Sequence, residues 1–478
     1  MAIDPDICYR ALRARDRRFD GRFFAAVVTT GIYCRPICPA RTARRENLRF
    51  FASAAGAERQ GFRPCLRCRP ERAPGLAPVD AVSRLVRGAI AGIEEHALSS
   101  AGVADLAASL GVSDRHLRRV TEAELGVSPI ELAQTQRLLL AKRLLRDTSL
   151  SQTDIAFASG FGSVRRFNAL FKSRYGLSPS AVRGRGDISE ILQCRLEYRP
   201  PFAFDALLQY LGARAIPGVE AVDATHYRRT VAIDGFQGWL AVSQAHSGHA
   251  LELELSQSLA PVIGTIIARV KRLFDLGAVP DAVAALLSQD SQLEKSLRRR
   301  PGLRAPGAFD GFEIAMRAIL GQQVSVRAAT TISGRLVGTF GTAIETPFTE
   351  LTHLSPDARR IAGINADRIA ALGVVGARAS ALGALAQASL SGAVQLSAAA
   401  DVDAQVARLR RLPGIGPWTA QYIAMRALHW PDAFPSGDLV LRRAANCSEK
   451  HLLARAEAWR PWRAYAAHHL WQSMGDSV

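Results

Sequence analysis

Two hydrophobic periodicities divide the chain into blocks. Over residues 79–183, apolar side chains recur every three to four positions, which predicts a succession of amphipathic helices. The pattern changes from about residue 191, where positions 192–198 and 250–255 alternate apolar and polar side chains and positions 230–233 form a short apolar run. These segments predict strands, and a helix is predicted over 204–212. The chain therefore predicts an all-helical block followed by an α+β block.

Two helix-turn-helix patterns lie inside the helical block. Gly111 can supply the left-handed backbone of the first turn, and Ser113 can cap the helix after it. A long helix joins the two patterns. The predicted helices cover residues 103–110, 114–120, 130–145, 152–158 and 164–172.

The end of the second pattern resembles the AraC-type DNA-binding domain. The resemblance rests on Gly160, Phe161, Phe171, Lys172, Tyr175, Gly176, Ser178 and Pro179. It implies two recognition helices, about one DNA turn apart, that enter successive segments of the major groove. The residues expected to face DNA are Arg115, His116, Arg119, Arg165, Arg166 and Asn168, with a solvated polar face as the alternative. Core positions are expected for Phe157, Phe167 and Phe171.

Four of the seven cysteines form two close pairs. Cys34 and Cys38 have three residues between them, and Cys65 and Cys68 have two. This spacing predicts a tetrahedral zinc site with four thiolate ligands, whose ordinary purpose is structural. The other three cysteines are isolated, so no disulfide framework is predicted.

The residues around these pairs closely resemble the Ada-type methyl phosphotriester repair domain. The resemblance runs from about Asp16 to Pro70 and includes the runs TGIYCRP and GFRPCLRCRP. It implies that Cys34 is both a zinc ligand and the nucleophile that accepts a methyl group from DNA, since a zinc-bound cysteine is a thiolate. Methylation removes one negative charge, so DNA affinity is expected to rise. The arginines expected to contact DNA are Arg41, Arg45, Arg63 and Arg67.

The second half of the chain carries different motifs. FDGFE at 309–313 and ILGQQVSV at 319–326 precede LPGIGPWTA at 412–420, and Asp438 follows Trp418 by twenty residues. Together these motifs resemble the 3-methyladenine DNA glycosylase II (AlkA) family of the helix-hairpin-helix superfamily, over about residues 190–478. A Pro-Cys-His-Arg motif, which would indicate an O6-alkylguanine methyltransferase domain, does not occur in the sequence.

The glycosylase resemblance implies a role for each motif residue. Asp438 would stabilise positive charge on the sugar or activate water, although it could also be a helix N-cap. The glycines of the hairpin let backbone amides approach a phosphate. The residues expected to line an aromatic base pocket are Trp418, Tyr422, Trp471 and Tyr210, with plain hydrophobic core as the alternative. The hairpin residues expected to contact DNA are Gly414, Gly416 and Thr419.

Two further expectations concern the chemistry of this half. Trp418 stands where a glycosylase with lyase activity carries a lysine, so a monofunctional enzyme is expected. Gln323 stands where the family's best-known member places an apolar wedge, so DNA contact is expected there with a less hydrophobic side chain. Backbone carbonyls near Leu412 and Ile415 could bind a monovalent cation.

The composition agrees with a polyanionic partner. The formal net charge is +18, although it comes almost entirely from arginine and could also reflect a biased genome. The N-terminus lacks a signal pattern, and no run of 18 apolar residues occurs, so a cytoplasmic, nucleoid-associated bacterial protein without a membrane partner is expected. The expected partners are double-stranded DNA and RNA polymerase, and the expected state is a monomer.

The predicted fold class is multidomain. We expect a small α+β zinc domain (1–75), an all-α AraC-type double helix-turn-helix domain (76–186), an α+β glycosylase N-terminal domain (187–303) and an all-α helix-hairpin-helix glycosylase domain (304–478). The predicted function combines a methyl-activated transcription regulator with an enzyme that excises 3-methyladenine. Two alternatives stay open: a regulator whose glycosylase half is only a DNA clamp, and a repair enzyme whose AraC-like region only tethers it to DNA.

Overall fold

The computed structural model describes residues 4–75, 83–96, 102–184 and 191–475. The chain divides into two compact units. The first unit consists of Met1–Pro200, Ala245–Lys271 and Leu276–Val279. The second unit consists of Pro201–Gln244, Arg272–Asp275 and Pro280–Val478.

A four-stranded sheet organises the segment that carries the paired cysteines. Its strands are β1 (Phe24–Val27), β2 (Ile32–Cys34), β3 (Leu48–Phe51) and β4 (Arg63–Pro64), in the order β3-β1-β2-β4. β1 is antiparallel to β2 and β3, whereas β2 and β4 are parallel. Helices α1 (Pro5–Ala14) and α2 (Ala54–Arg59) accompany the sheet. The parallel pair is what brings the two cysteine pairs together, because β2 ends at Cys34 and β4 ends next to Cys65.

The following helices form the two predicted helix-turn-helix motifs. They are α3 (Arg84–His96), α4 (Val103–Ser109), α5 (Asp114–Leu125), α6 (Pro129–Asp147), α7 (Gln152–Ala158), α8 (Val164–Tyr175) and α9 (Pro179–Val182). Gly111 has a φ of +69°, as the predicted turn requires, and Ser113 caps α5 through the amide of His116. The expectation for Phe157 was wrong: its side chain is 53% exposed, whereas Phe167 and Phe171 are buried.

The α+β segment supplies strands to both units. Its elements are β5 (Ile191–Glu197), α10 (Phe204–Gly212), β6 (Glu220–Val222), β7 (His226–Ile233), β8 (Phe236–Gln244), β9 (Ala250–Ser256), α11 (Ile263–Leu273), α12 (Pro280–Leu287) and α13 (Ser291–Arg299). β5 and β9 pair antiparallel in the first unit. β7 pairs antiparallel with β6 and β8 in the second unit.

The C-terminal segment is helical apart from two short strands. Its elements are α14 (Gly311–Leu320), α15 (Val326–Phe340), β10 (Thr342–Ala343), β11 (His353–Leu354), α16 (Ala358–Ala362), α17 (Ala366–Ala370), α18 (Gly376–Leu390), α19 (Val402–Leu409), α20 (Pro417–Arg426), α21 (Leu439–Ala444), α22 (Glu449–Ala456) and α23 (Arg463–Gly475). Residues such as Ile319, Leu382 and Ile423 form one apolar core. The predicted multidomain fold class is confirmed. Within the described ranges, no helix combines the length and apolar character that a membrane span needs.

Candidate zinc centre and candidate base-excision site

The four paired cysteines converge on one point. The sulfur atoms of Cys34, Cys38, Cys65 and Cys68 all lie within 4.8 Å of one another. Four sulfurs bound at about 2.3 Å to one tetrahedral ion stand roughly 3.8 Å apart, so the arrangement fits a single ion. Thiolate donors in this geometry select Zn²⁺, and the predicted ligand set fits that ion.

The four sulfurs differ in their surroundings. The amide of Arg35 donates to Cys68 Sγ at 3.3 Å, and the amide of Arg67 donates to Cys65 Sγ at 3.4 Å. In the described part of the chain, no N–H group donates to Cys34 Sγ within hydrogen-bond distance. Cys34 is also half-buried, whereas the other three ligands are buried. Cys34 therefore differs from Cys65 and Cys68 in the lack of a described amide donor to its sulfur, and from all three other ligands in the partial exposure of the residue.

Arg35, the residue after Cys34, is a buried anchor that sequence reasoning missed. Its guanidinium donates to both carboxylate oxygens of Asp20 and to the carbonyl of Cys68 at 3.0 Å. It also lies 2.5 Å from a carboxylate oxygen of Glu197, at the end of β5. A buried cation needs such partners, because an unpaired charge in the interior is costly. The only signal in the sequence is the position of this arginine next to Cys34.

The buried carboxylate of Glu58, in α2, connects the zinc domain to the helices of the helix-turn-helix motifs. The hydroxyl groups of Tyr33 and Tyr175 donate to Glu58 Oε1 at 2.9 and 3.3 Å, and the hydroxyl of Thr135 donates to Oε2 at 3.0 Å. Burial raises the pKa of Glu58 to about 7, although these donors and Arg174 oppose the rise. Tyr33 precedes Cys34, and Tyr175 ends the second recognition helix.

The arginines predicted to contact DNA from the zinc domain differ in exposure. Arg41 and Arg67 are exposed, and Arg63 is half-buried in β4. Arg45 is also half-buried: its guanidinium lies 5.3 Å from the centre of the Phe50 ring and 3.5 Å from Asp6. Arg45 thus packs against its own domain, which leaves it less free to reach a phosphate than its neighbours.

The predicted recognition residues are mostly at the surface of α5 and α8. The exposed ones are Arg115, Arg119, Arg165 and Arg166. His116 is half-buried, and its Nδ1 lies 2.9 Å from a guanidinium nitrogen of Arg119. Asn168, like His116, is half-buried, and its side-chain oxygen accepts a 2.5 Å hydrogen bond from Gln152. Asn168 ties α8 to α7.

In the second unit, Asp438 sits at the start of α21 with three donors around its carboxylate. The amide of Leu441 donates to Oδ1 at 2.9 Å, so Asp438 is the N-cap of this helix. The indole of Trp418 donates to Oδ2 at 2.9 Å, and the indole of Trp471 donates to Oδ1 at 3.1 Å. Asp438 is therefore the N-cap that was expected as the alternative, and the same carboxylate also accepts hydrogen bonds from two indoles.

The four residues predicted to line the base pocket are brought together. The rings of Trp418 and Tyr422 are stacked at 5.4 Å with an angle of 12°, and Trp471 meets Tyr422 edge-on at 6.4 Å. Tyr210 joins them through Arg426, whose Nη1 donates to the hydroxyls of Tyr210 and Tyr422 at 3.0 and 3.1 Å. The result is an aromatic wall, which we define as Trp418, Tyr422, Trp471 and Tyr210.

Two residues behind this aromatic wall were not predicted. Arg426 is buried at the end of α20 and follows Tyr422 by one helical turn, which is the only sequence signal for it. His468 is 2% exposed, with ring centres 4.9 Å from Tyr210 and 5.0 Å from Trp471. Burial keeps the pKa of His468 well below its usual range, with Arg426 adding to the effect, so its imidazole is neutral.

The hairpin before α20 has the backbone that its glycines predicted. Gly414 has a φ of +76°, and a Cβ there would lie 3.0 Å from Ala381, whereas open space surrounds the Cα of Gly416. The side chain of Thr419 is 2% exposed, and its hydroxyl accepts from Gln322 at 2.9 Å, so the DNA contact predicted for this residue would have to come from its backbone.

The two glutamines of the GQQ run have different positions. Gln322 donates to the carbonyl of Gly414 at 2.8 Å and so ties this loop to the hairpin. Gln323 is exposed and has a φ of +54°, a left-handed conformation that non-glycine residues seldom adopt. The surrounding loop thus holds Gln323 outward, at the surface that carries the hairpin.

Four family models match consecutive parts of the chain. The metal binding domain of Ada matches residues 7–71, and a helix-turn-helix domain matches 106–185. The AlkA N-terminal domain matches 193–310, and the HhH-GPD superfamily of base excision DNA repair proteins matches 316–452. These matches define a protein class in which a zinc-dependent regulator and a helix-hairpin-helix DNA glycosylase share one chain.

One known relative matches the whole of this chain and another matches part of it. A protein of Mycobacterium tuberculosis called "Probable bifunctional transcriptional activator/DNA repair enzyme AlkA" is 39% identical over 100% of this chain and 98% of its own. DNA-3-methyladenine glycosylase 2 of Escherichia coli is 35% identical over 59% of this chain and 97% of its own. The chain therefore belongs to the AlkA family of bifunctional transcriptional activators and DNA repair enzymes. Zn²⁺ is its metal, held by the four cysteines of the Ada-type domain.

A solved structure shares the fold of the second half. The 3-methyladenine DNA glycosylase from Archaeoglobus fulgidus has a TM-score of 0.51 at 20% identity, over 58% of this chain and 97% of that structure. At this identity the likeness concerns the fold alone.

Proposed function

We propose that the C-terminal part of the protein hydrolyses the N-glycosidic bond of 3-methyladenine and related alkylated bases in DNA. The observation that carries the proposal is the orientation of Asp438, whose carboxylate is held by two indole N–H groups beside the aromatic wall. Alkylated purines are cationic and electron-poor, so they stack on aromatic rings. We therefore expect a flipped base of this kind to stack on the aromatic wall.

Asp438 is the group expected to act on the sugar. As the bond between base and sugar breaks, positive charge develops at C1′, and a fixed carboxylate stabilises it. Water then bonds to C1′ and gives up a proton, which leaves an abasic site. Trp418 offers no amine for a Schiff base, so we infer hydrolysis without strand cleavage.

The decisive experiment measures base release from methylated DNA by the wild-type protein and by Asp438→Asn. Asparagine is also a good N-cap, so α21 should keep its start. We expect the single-turnover rate to fall by at least about 10²–10³ while DNA binding stays largely intact. Base release at the wild-type rate by Asp438→Asn would overturn the role of Asp438, and an adduct trapped by borohydride would overturn the monofunctional assignment.

We also infer that Cys34 accepts a methyl group from a DNA methyl phosphotriester. Its sulfur attacks the methyl carbon, the bond from that carbon to the phosphate oxygen breaks, and the electron pair stays on the oxygen. The products are an ordinary phosphodiester and S-methylcysteine, so each chain reacts once. Zn²⁺ supplies the thiolate form of the sulfur at neutral pH. The half-buried position of Cys34 supports its choice over the three buried ligands, and the lack of a described amide donor to its sulfur further supports its choice over Cys65 and Cys68.

The methyl acceptor can be identified by mass spectrometry of peptides after reaction with DNA that contains methyl phosphotriesters. We expect one added methyl group on Cys34 and none on the other cysteines. A methyl group on Cys38, Cys65 or Cys68 would show that the nucleophile is wrong. Cys447→Ser, at an isolated cysteine, serves as the control and should react like the wild type.

We further infer that the protein activates transcription as a monomer that contacts RNA polymerase. One chain carries two helix-turn-helix motifs, so it can reach two major-groove segments without a second copy. Light scattering of the free protein and of its operator complex tests the first inference. Transcription in a purified system, with methylated and unmethylated protein, tests the second.

A further inference from the structure

Arg426 is a buried cation that forms no ion pair with a carboxylate in the described part of the chain. Its Nη1 donates to the two tyrosine hydroxyls described above, and its Nε and Nη2 donate to the carbonyl of Gly307 at 3.2 and 3.0 Å. Among the described residues no carboxylate lies within ion-pair distance of it; burial opposes its charge, and the groups that raise its pKa are Tyr210 and Tyr422 first and the more distant Glu220 after them. A buried charge is normally paired. The positive charge of Arg426 is therefore only partly compensated and acts on its surroundings.

The position of Arg426 along α20 places this positive charge at the opposite end of the aromatic wall from Asp438. Trp418, Tyr422 and Arg426 are spaced four residues apart and lie on one face of the helix. Eight residues of helix correspond to about 12 Å along its axis. Trp418 contacts the carboxylate of Asp438 at one end, and Arg426 contacts the hydroxyl of Tyr422 at the other. Opposite charges thus stand at the two ends of the aromatic wall.

This field matches the movement of charge in base excision. When the bond between base and sugar breaks, the electron pair leaves with the base, and positive charge appears on the sugar. A cationic base becomes neutral in this step. A positive charge behind the base opposes binding of the cationic base but favours the arrival of the electron pair on it.

We propose that Arg426 is a positioning residue for base release: through Tyr422 it places a positive charge behind the departing base, opposite Asp438. The proposal rests on the proposed glycosylase function. Arg426 raises the rate of the chemical step at the expense of affinity for cationic bases. It thereby lets the enzyme act on neutral damaged bases as well, because electrons move toward the base in both cases.

The tyrosine between Arg426 and the base makes this effect depend on pH. Burial alone would raise the pKa of Tyr422, but Arg426, with Arg214, Tyr210 and Arg317, lowers it to about 8. His468, packed on the other side of Tyr210, stays neutral. Ionisation of Tyr422 adds a negative charge that offsets Arg426. Base release should therefore slow as the pH rises through about 8.

The test compares Arg426→Met with Arg426→Lys in the full chain, by single-turnover kinetics at pH 7. The substrates are DNA with a cationic N-methylated purine and DNA with hypoxanthine, a neutral purine. We expect Arg426→Met to lower the maximal rate about tenfold on both, less than loss of a direct donor. Half-saturation should move to several-fold lower enzyme concentration for the cationic purine only. Arg426→Lys should keep most of the wild-type rate.

Two outcomes would overturn the proposal, because a purely structural role of Arg426 predicts them. One is a lower rate in Arg426→Met without tighter binding of the cationic purine. The other is a rate in Arg426→Lys as low as that in Arg426→Met. Should Arg426→Met fail to fold, Tyr422→Phe provides the second test. Its rate should be independent of pH between 7 and 9, whereas the wild-type rate falls; a fall in both would overturn the proposal. Absence of base release by the wild type would instead refute the proposed glycosylase function.

Discussion

Nε1 of Trp418 lies 2.9 Å from Oδ2 of Asp438. The indole of Trp471 donates to the other carboxylate oxygen, which also caps α21. Hydrogen bonds to an ionised carboxylate are stronger than those between neutral groups. Two residues of the aromatic wall thus hold the carboxylate of Asp438 in a fixed orientation.

Removing one indole N–H should slow base release without removing the aromatic ring. We expect Trp418→Phe and Trp471→Phe each to lower the single-turnover rate by about tenfold or more, because a hydrogen bond to a charged group contributes about 1.5 kcal/mol. Trp459→Phe is the matched control. Trp459 donates to Asp290 at 3.1 Å, and Asp290 is the N-cap of α13, so this variant loses the same kind of indole–carboxylate hydrogen bond away from the aromatic wall. Trp459→Phe should lower the free energy of unfolding and leave the rate of base release unchanged. An unchanged rate in Trp418→Phe would contradict the orienting role.

One zinc ion should be present per chain. Cys38→Ala should lose the ion and unfold the β1–β4 segment, because metal binding and folding share one free energy in a small four-cysteine site. Elemental analysis gives the metal content, and circular dichroism gives the folded content. Cys447→Ala should retain the ion. Metal-free wild-type protein that keeps the same fold would contradict this prediction.

Methyl transfer to Cys34 should tighten binding to operator DNA. The modification removes one negative charge from a surface expected to face phosphates, so the gain should be largest at low salt and shrink as salt screens it. Binding isotherms of methylated and unmethylated protein across a salt series measure the effect. Equal affinities at every salt concentration would rule out the electrostatic switch.

The buried carboxyl of Glu58 should make stability fall with rising pH. Its pKa is about 7 in the folded protein, against an ordinary value of 4.5, so the folded state binds the proton more tightly than the unfolded state. The stabilisation is complete below about pH 4.5 and is lost as the pH rises through 7, in total about 3 kcal/mol.

Glu58→Gln isolates this effect, because glutamine keeps acceptor and donor groups in the same place but does not titrate. Thermal unfolding at pH 5 and pH 8 should show the variant gaining stability relative to wild type at the higher pH. Glu58→Ala should lose stability at both pH values, since it leaves the hydroxyls of Tyr33 and Thr135 without their partner. A constant difference between Glu58→Gln and wild type would contradict the raised pKa.

The residues of the second recognition helix should separate into two classes. Arg165→Ala and Arg166→Ala should weaken operator binding and leave stability nearly unchanged, because both side chains are exposed. Asn168→Ala should lower stability instead, because it breaks the bond to Gln152. Affinity and unfolding measurements on the three variants check this. A specific loss of operator affinity in Asn168→Ala at unchanged stability would instead support the DNA contact predicted for this residue.

The motifs of the chain already determined its class. Close cysteine pairs can be read from sequence because a zinc ion imposes its geometry on short loops, and the predicted ligand set is the one that converges. The turns of the helix-turn-helix motifs and of the hairpin can be read from sequence for a similar reason. Gly111 and Gly414 both have a positive φ, a conformation that the residue type itself favours. The long helix, predicted over 130–145, spans Pro129–Asp147, since its Ser128 cap is a local signal.

Only the tertiary structure decided which polar side chains are free. Thr419, Asn168 and Arg45 lie within motifs that bind DNA in the families they resemble, yet each is held by a neighbour distant in sequence or by its own domain. The buried contacts of Arg35 and Arg426 could not be predicted from sequence, because their partners come from segments up to hundreds of positions away. Periodicity and spacing record what each segment needs locally. The pairing of buried charges depends on which segments meet, and folding alone settles that.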